Sequence, residues 1–548
     1  MYEHYFNKSY EFVGNELWIL PEKAYCTPPW SIDALQQMKS NLNTIKGQLN
    51  LYPLTAWSNH TKKTDPSSLI KHSIGGKLKI EIFTQAWCKF YECLNTYSLI
   101  PMSSTLNTVH LCEAPGAFVS ALNYYLHTNH PKIEWKWNAN TLNPYYEGNS
   151  PSEMISDDSL IRQTIANWEF GSDQTGDIRN YDNHTDLVAK FSEIDLVTAD
   201  GSVDCMQDPG EQEAKVHHLH YCEVVTALRL LRTGGNFVLK LFTMFEHGAI
   251  SLMYLLNCCF KQVDVFKPCS SKSGNSEVYI ICTSYRGFNL LTNIWDSLTS
   301  PYKTPKVEAM FDVTEINPTF LMQLEECAHY FMDLQCEHIN RNIELYGTDH
   351  SNPTWNCVKD VQKGVAKTYS NLCRITNIPK KRRLLRRIHN DDDDVVRINI
   401  GRAFDTIQTS CFGSISKKTP LHECPLNTSA VINNSLFESE ITQSAFHHRF
   451  FRVMLEVRNI GVVYILSLGY DSFDIQESAI VFKDYNHFKF YSVRKHLEKI
   501  ANKYEQLESN QDILEVVPLR FLKSGSFYKA ICKYNNLDNL SYQQVQNI

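Results

Sequence analysis

The chain has 548 residues, of which 43% are hydrophobic and 12% aromatic, with a formal charge of −7. This composition excludes a disordered chain and predicts two or more folded domains with sizeable cores. The mild acidity also excludes a basic surface spread over the whole molecule, so a polyanionic partner would have to meet a local basic patch.

Seventeen cysteines would suit a secreted disulfide scaffold, but the chain is long and has no C-x-x-C pair. The start Met1-Tyr2-Glu3-His4-Tyr5 lacks a basic-then-apolar leader. Cysteines inside apolar runs, such as Cys258-Cys259, behave as small hydrophobes, so reduced thiols are expected. The longest apolar run, around Ile250–Phe260, is too short to span a bilayer. Metal-ligand spacing is not seen. The expectation is an intracellular protein, neither secreted nor membrane-bound.

In chain order, residues 1–80 form a weakly periodic N-terminal extension. Apolar positions Phe83, Ala86, Trp87, Phe90 and Leu94 predict a helix over 82–97, with Lys89 off its apolar stripe. Val109–Cys112 reads as a buried strand, Glu113-Ala114-Pro115-Gly116 as a turn, and Ala117–His127 as a helix. A second strand, Ile133–Trp137, is followed by a polar insertion (143–182). Next come the strand Ile194–Ala199, a helix over 211–232 stopped by Thr233-Gly234-Gly235, and the strand Asn236–Phe242. A helix over 246–259 precedes two closely spaced strands near 263–266 and 278–282, which suggest a hairpin-like edge. Strands alternating with helices predict an α/β domain with a mostly parallel sheet covered on both faces.

Beyond 290 the pattern weakens, to helical pieces near 319–341 and strand-like runs near 453–467 and 479–491. Lys380, Lys381, Arg382, Arg383, Arg386 and Arg387 precede Asp391–Asp394. Adjacent opposite charges suit a solvated linker loop, with RNA contact or a nuclear import signal as alternatives.

Ligands of open α/β sheets sit at the carboxyl ends of the strands. The turn ending in Gly116 falls there, and the helix beginning Ala117-Phe118 could offer N–H groups to a carboxylate. A plain tight turn is the competing explanation. The second strand carries Trp135, and its end, Asn138-Ala139-Asn140, lacks the acid that would grip a ribose; ring stacking and amide hydrogen bonds could substitute. Asp200 ends an apolar strand and could be a ligand group or a turn former. Lys240 inside Phe237-Val238-Leu239-Lys240-Leu241-Phe242 is costly to bury without a partner. Glu277 could be that partner, leaving a structural ion pair as the alternative to a catalytic set.

Residues 81–287 resemble the FtsJ-type, or RrmJ-like, S-adenosylmethionine-dependent RNA ribose 2′-O-methyltransferases. The resemblance rests on Thr84–Lys89, Ala114–Phe118, Ala199-Asp200-Gly201, Gly234–Lys240 and Asn275-Ser276-Glu277. It implies a Rossmann-like seven-stranded sheet and a catalytic tetrad of Lys89, Asp200, Lys240 and Glu277. It further implies S-adenosyl-L-methionine held by Gly116, Ala117, Phe118, Trp135, Asp177 and Asp200. The family's Gly-Gly is Gly116-Ala117 here. Thr141–Asn149, Thr175–Ile178 and Pro209–Glu213 resemble the eukaryotic branch acting on capped mRNA. That implies methylation of the second transcribed nucleotide, in the nucleus and cytoplasm, and a second, degenerate methyltransferase-like α/β domain over 300–548. Methylation of the first nucleotide or of another RNA, and a catalytically inactive RNA-binding scaffold, are the alternatives. Lys240 would be the base, its pKa lowered by burial and by Lys89.

Overall fold

The computed structural model describes residues 2–385, apart from position 77 and positions within 145–156, 204–208, 304–307 and 349–352. It also describes strands at 429–432, 470–476 and 479–485. The chain forms two units, 1–143 with 151–386 and 144–150 with 387–548.

The first unit opens with β1 (Ser9–Glu11), α1 (Asp33–Gly47), α2 (Leu54–Thr64) and α3 (Ile70–Gly75). Thr84 then caps α4 (Gln85–Thr96), its Oγ1 accepting from the Trp87 N–H at 3.2 Å. The α/β alternation follows: β2 (Thr105–Leu111), α5 (Ala117–Asn129), β3 (Glu134–Asn140), α6 (Ser159–Gln163), β4 (Trp168–Glu169) and α7 (Tyr181–Lys190). It continues through β5 (Ile194–Ala199), α8 (Gln212–Leu230), β6 (Leu231–Leu241), α9 (His247–Cys259), β7 (Phe260–Phe266) and β8 (Val278–Tyr285). Three helices close the unit: α10 (Trp295–Lys303), α11 (Pro318–Leu345) and α12 (Pro353–Cys373).

The sheet has eight strands, in the order β1-β7-β8-β6-β5-β2-β3-β4, rather than seven. The N-terminal segment supplies the additional edge, with β1 antiparallel to β7 and Ser9 opposite Phe266. β2 to β6 form a parallel set, and β8 runs antiparallel between β6 and β7. The hairpin-like edge expected from the spacing of the last two strands is therefore present. The carboxyl ends of β2, β3, β5, β6 and β7 and the amino end of β8 consequently share one edge. Thr233-Gly234-Gly235 is not a loop: it lies inside β6, with Gly234 at φ +82° where the register against β5 shifts.

Each face of the sheet carries its own core. On one side Leu35 and Leu42 of α1, Val216 of α8, Ile250 of α9 and Phe320 and Leu324 of α11 pack together. On the other, Ile70, Trp87, Phe118 and Tyr369 bring together α3, α4, α5 and α12. α11 and α12 thus belong to the first unit, and the boundary expected near 300 falls at 386/387. The sequence misleads there because each helix buries only one stripe, which looks the same whichever domain covers it.

In the second unit, β9 (Ser429–Ile432), β10 (Tyr470–Gln476) and β11 (Ala479–Tyr485) form an antiparallel sheet in the order β10-β11-β9. The strand expected at 453–467, together with Arg386, Arg387 and Asp391–Asp394, lies outside the described residues.

A chain ended at residue 300 should expose both faces and fail to melt cooperatively, whereas one ended at 386 should keep a cooperative melt by circular dichroism. Similar melts for the two would mean that α11 and α12 are dispensable to the core.

Candidate active site

Four charged side chains meet at the shared edge. Lys89, on the second turn of α4, pairs with Glu277 Oε1 at 2.5 Å. Glu277 immediately precedes β8, and Ser271 Oγ donates to its Oε1 at 2.8 Å. Lys240, near the end of β6, pairs with Asp200 Oδ1 at 3.2 Å and donates to the Asp200 carbonyl oxygen at 2.6 Å. Tyr279 Oη donates to the same Oδ1 at 3.1 Å. Lys240 and Glu277 are only 6% and 8% exposed, so Coulomb forces between them are weakly screened.

The electrostatics follow from that burial. For Glu277, burial opposes ionisation, yet the charges of Lys89 and Lys240 and the hydrogen bonds from Lys89 and Ser271 pull its pKa down to about 2. For Lys240, burial disfavours the ammonium, but Asp200 and Glu277 outweigh it and hold the pKa above the ordinary lysine value. The expectation of a lowered Lys240 pKa is therefore overturned: its immediate neighbours are carboxylates, while Lys89 is engaged by Glu277.

The turn after β2 also differs from expectation. Gly116 stands at φ +107°, where glycine is favoured, and a Cβ there would run into Leu160 of α6. The first turn of α5 is already capped: the Phe118 and Val119 N–H groups donate to Glu113 Oε1 at 2.8 and 3.0 Å. Those two groups are thus taken by the chain's own carboxyl group. The Phe118 ring, 1% exposed, stacks on Phe90 at 4.3 Å and belongs to the core. Ala117 is likewise buried beneath the turn.

Trp135 is placed elsewhere. It lies at the start of β3 opposite Leu106, five residues before Asn140, or about 16 Å from the carboxyl edge. Its indole N–H donates to Thr108 Oγ1 at 3.0 Å, and its ring packs on Trp137. A tryptophan pair on a strand does not reveal which end a ligand occupies. Asn140 stands at the edge instead: its Nδ2 donates to the Glu169 and Gly176 carbonyls, while its buried Oδ1 has no partner. Asp177 follows Gly176, whose φ of +74° lets the loop press against the Thr141 carbonyl. Its carboxylate is gripped by Arg179 at 2.8–3.1 Å.

Sequence reasoning missed several supporting groups. Glu223 of α8, fully buried, accepts from the Gly201 N–H at 2.9 Å, and its Oε2 is unpaired. Lys267, just after β7, donates at 2.8 Å to the carbonyls of both Asn275 and Glu277, shaping the loop that presents Glu277. Burial, with Lys8 nearby, pushes its pKa down to about 7. A signal existed for Tyr279 and Lys267: the first shares a strand face with Glu277, and the second ends an apolar run as Lys240 nearly does.

Residues 82–285 match the family described as FtsJ-like methyltransferase, and the sheet carried by that segment is of the Rossmann type found in such methyltransferases. Among individual proteins, the chain is 45% identical over 350 residues to the cap-specific mRNA (nucleoside-2′-O-)-methyltransferase 2 of Pongo abelii, covering 62% of this chain and 46% of that protein. It is 42% identical over 361 residues to the protein of the same name from Drosophila melanogaster, covering 63% and 51%. The chain spans about half the length of the curated relatives it matches. Among the described residues no helix is long and apolar enough to cross a membrane.

Glu113 generates a pH prediction. Burial, with the charge of Asp200, raises its pKa from 4.5 to about 8. The native state therefore holds a proton that the unfolded chain releases above about pH 4.5. This stabilisation is fully present below that pH and is lost as pH rises through about 8. Glu92 and Glu223, each raised to about 7 chiefly by burial, act in the same sense. The buried His110, His184, His217 and His220, lowered to about 3–4 by burial, act in the opposite sense below about pH 6.5, so the readout is a difference: from pH 5 to 8 the Tm of Glu113→Gln should rise relative to that of the native chain. An unchanged slope in that variant would mean that Glu113 is ionised in the native protein.

Proposed function

We propose that the chain is an S-adenosylmethionine-dependent RNA ribose 2′-O-methyltransferase acting on capped mRNA at the second transcribed nucleotide. The observation that carries this reading is the alternation Lys89–Glu277–Lys240–Asp200 at the carboxyl edge of an FtsJ-like sheet. The relatives' names support the cap and the 2′-hydroxyl. A nuclear and cytoplasmic location goes with that substrate. Residues 387–548 are read as a methyltransferase-like domain without its own tetrad, contributing stability or RNA placement.

The edge offers what S-adenosylmethionine requires. Asp200 supplies a carboxylate beside the reacting centre, Asp177 one beside the end of β3, and Asn140 Oδ1 is a buried acceptor without a donor. The Gly116 turn follows β2, the strand that lies between β5 and β3. When bound, the cofactor supplies an electrophilic methyl group on a positively charged sulfur. A ribose hydroxyl is a weak nucleophile and needs both a base and alignment. Glu277 holds Lys89 and can orient the hydroxyl. Lys240, charged at rest, first donates a hydrogen bond to the hydroxyl oxygen. Lys240 becomes the base only after its ammonium releases a proton to solvent, a release that a cation beside Asp200 would favour by weakening the pull on that proton; the neutral amine then takes the hydroxyl proton.

Lys240→Ala should abolish transfer while leaving S-adenosylmethionine affinity within a few fold. Lys240→Arg should fail as badly, since guanidinium does not release its proton near neutral pH. Because Glu277 raises the Lys240 pKa, Glu277→Gln should move the rising limb of kcat/KM against pH to lower pH while reducing the maximum about 100-fold. Turnover by the Lys240→Arg variant above about a tenth of the native rate would remove Lys240 from the base role. Label transfer onto capped, uncapped and pre-methylated RNA distinguishes the second nucleotide from the first and from an inactive scaffold.

The RNA body has a candidate track. Lys380, Lys381 and Arg382 are exposed on a short 3₁₀ turn. The segment is held in place by Asn123 Nδ2 donating to the Arg382 carbonyl and by the Leu384 and Leu385 N–H groups donating to Glu81. Up to residue 385, then, the charged run is docked rather than a free linker. Replacing Lys380, Lys381, Arg382 and Arg383 by Ala should weaken RNA binding and reduce its salt slope by roughly 2–3, at near-native kcat. Superimposable salt slopes would rule out phosphate contact by this run.

A further inference from the structure

The amide between Asp200 and Gly201 is engaged at both ends. Its carbonyl oxygen accepts from Lys240 Nζ at 2.6 Å, and its N–H donates to Glu223 Oε1 at 2.9 Å. In a trans amide these groups point in opposite directions, so the lysine of β6 and the glutamate of α8 face each other across one planar unit. Ammonium, carbonyl, N–H and carboxyl form one continuous chain of hydrogen bonds, in which charge at either end polarises the amide for the other. Gly201 makes room for the chain. A Cβ there would lie 2.4 Å from Glu223 Oε1 and 2.9 Å from Leu219 Cδ2, so a larger residue would push the glutamate off the amide.

The acceptor in this chain is an acid, which the turn alone does not require. Glu223 is fully buried, and its second oxygen, Oε2, has no hydrogen-bond partner. A glutamine would accept from the Gly201 N–H equally well at a smaller desolvation cost. The groups that face the carboxyl are Lys240 from β6, Asp200 after β5 and the Cys112 thiol after β2. Burial pushes the Glu223 pKa up to about 7, against the pull of Lys240. Burial also pushes Cys112 well above the ordinary thiol value and holds His220, which faces Lys240 from the same helix, at about 3. Both are therefore neutral near pH 7. Glu223 thus brings to Lys240 a charge that changes near neutrality, beside the standing charge of Glu277.

We propose that Glu223 is a positioning residue for Lys240, acting through the Asp200–Gly201 amide to hold the lysine at the reacting edge and to strengthen its grip on its proton. Ionised, the glutamate makes the Asp200 carbonyl oxygen a stronger acceptor and the ammonium harder to discharge. Protonated, it releases part of that hold. The loss of the Lys240 proton to solvent, which precedes its action as a base, is therefore coupled to a buried acid on α8. The proposal rests on the reading of Lys240 as the base for a ribose 2′-hydroxyl, and one arm of its test does not use turnover.

Glu223→Gln in the full chain keeps an acceptor for the Gly201 N–H and removes the charge. The rising limb of its kcat/KM against pH should lie about half a unit below the native limb, with a maximum within about threefold of native. Glu223→Leu strands the N–H and should lower kcat about tenfold or more at every pH. A Gln variant whose limb coincides with the native one, or a Leu variant as active as the Gln variant, would overturn the proposal. The second arm is a double-mutant cycle of Glu223→Gln and Lys240→Met, read as the urea midpoint of unfolding. Lys240 Nζ bonds to Asp200 rather than to Glu223, yet the two shifts should not add, with Glu223→Gln costing less once Lys240 is gone. Additive shifts would overturn the relay whatever the activity. Non-additive shifts in a protein that transfers no methyl group would keep the relay and remove the reading of Lys240 as the base. If Glu223→Leu fails to melt cooperatively, the Gln limb and the cycle decide.

Discussion

Bringing four alternating charges together at one sheet edge, Lys240 and Glu277 buried and Lys89 and Asp200 partly so, imposes the strongest constraint on this molecule, because each ion is tolerable only while its neighbours stay in place. Lys89 belongs to α4, Asp200 to the end of β5, Lys240 to β6 and Glu277 to the start of β8. Removing one would leave an uncompensated charge in a weakly screened interior, at a cost of about 3–5 kcal/mol. The pairs thus fasten elements from different parts of the chain, and the same neutralisation that makes the edge stable sets the proton affinity of its lysine. Stability and chemistry are carried by one set of contacts.

A second tier of buried carboxyl groups supports the first. Glu92 accepts from the Cys269 and Ser270 N–H groups after β7, Glu113 from the first turn of α5, and Glu223 from Gly201 after β5. Glu213 does the same for Phe245 and Glu246 after β6. Each takes backbone donors that the turn leaves without a secondary-structure partner, which would be costly to strand inside the protein. The loops at the edge are consequently shaped by buried side chains, three of them reaching out of helices, so the edge is organised before any ligand arrives.

How much of this was legible depended on how local the signal was. The tetrad was readable because a lysine within an apolar strand and a carboxylate at a strand end violate the hydrophobic pattern, and such violations mark used groups. The parallel sheet was readable from its alternation of strands and helices. Trp135 misled because period-2 patterning identifies a face but not an end of the strand. The direction of the Lys240 shift was missed because it depends on which of Lys89, Asp200 and Glu277 is nearest, a three-dimensional fact. The places of α11 and α12 were hidden for a related reason: an amphipathic helix announces that it needs a partner without saying which. Glu223 and Glu113 carried no pattern of their own, since a single glutamate on a helix or in a turn ordinarily faces water.

The raised proton affinity of Lys240 changes how the proposed reaction must be ordered. A base neutral at rest would need a site dominated by burial or by other cations, as for Lys267, whose pKa falls to about 7 with Lys8 beside it. Lys240 instead faces Asp200 and Glu277, and its ammonium is part of what keeps both carboxylates buried. On the proposed reading, proton transfer therefore belongs to the assembled complex, where additional charges divide the attraction of those carboxylates. A tetrad that is electrically neutral by itself becomes basic once Lys240 has given a proton to solvent, and a shared Asp200 links that release, and so deprotonation of the hydroxyl, to the presence of both reactants.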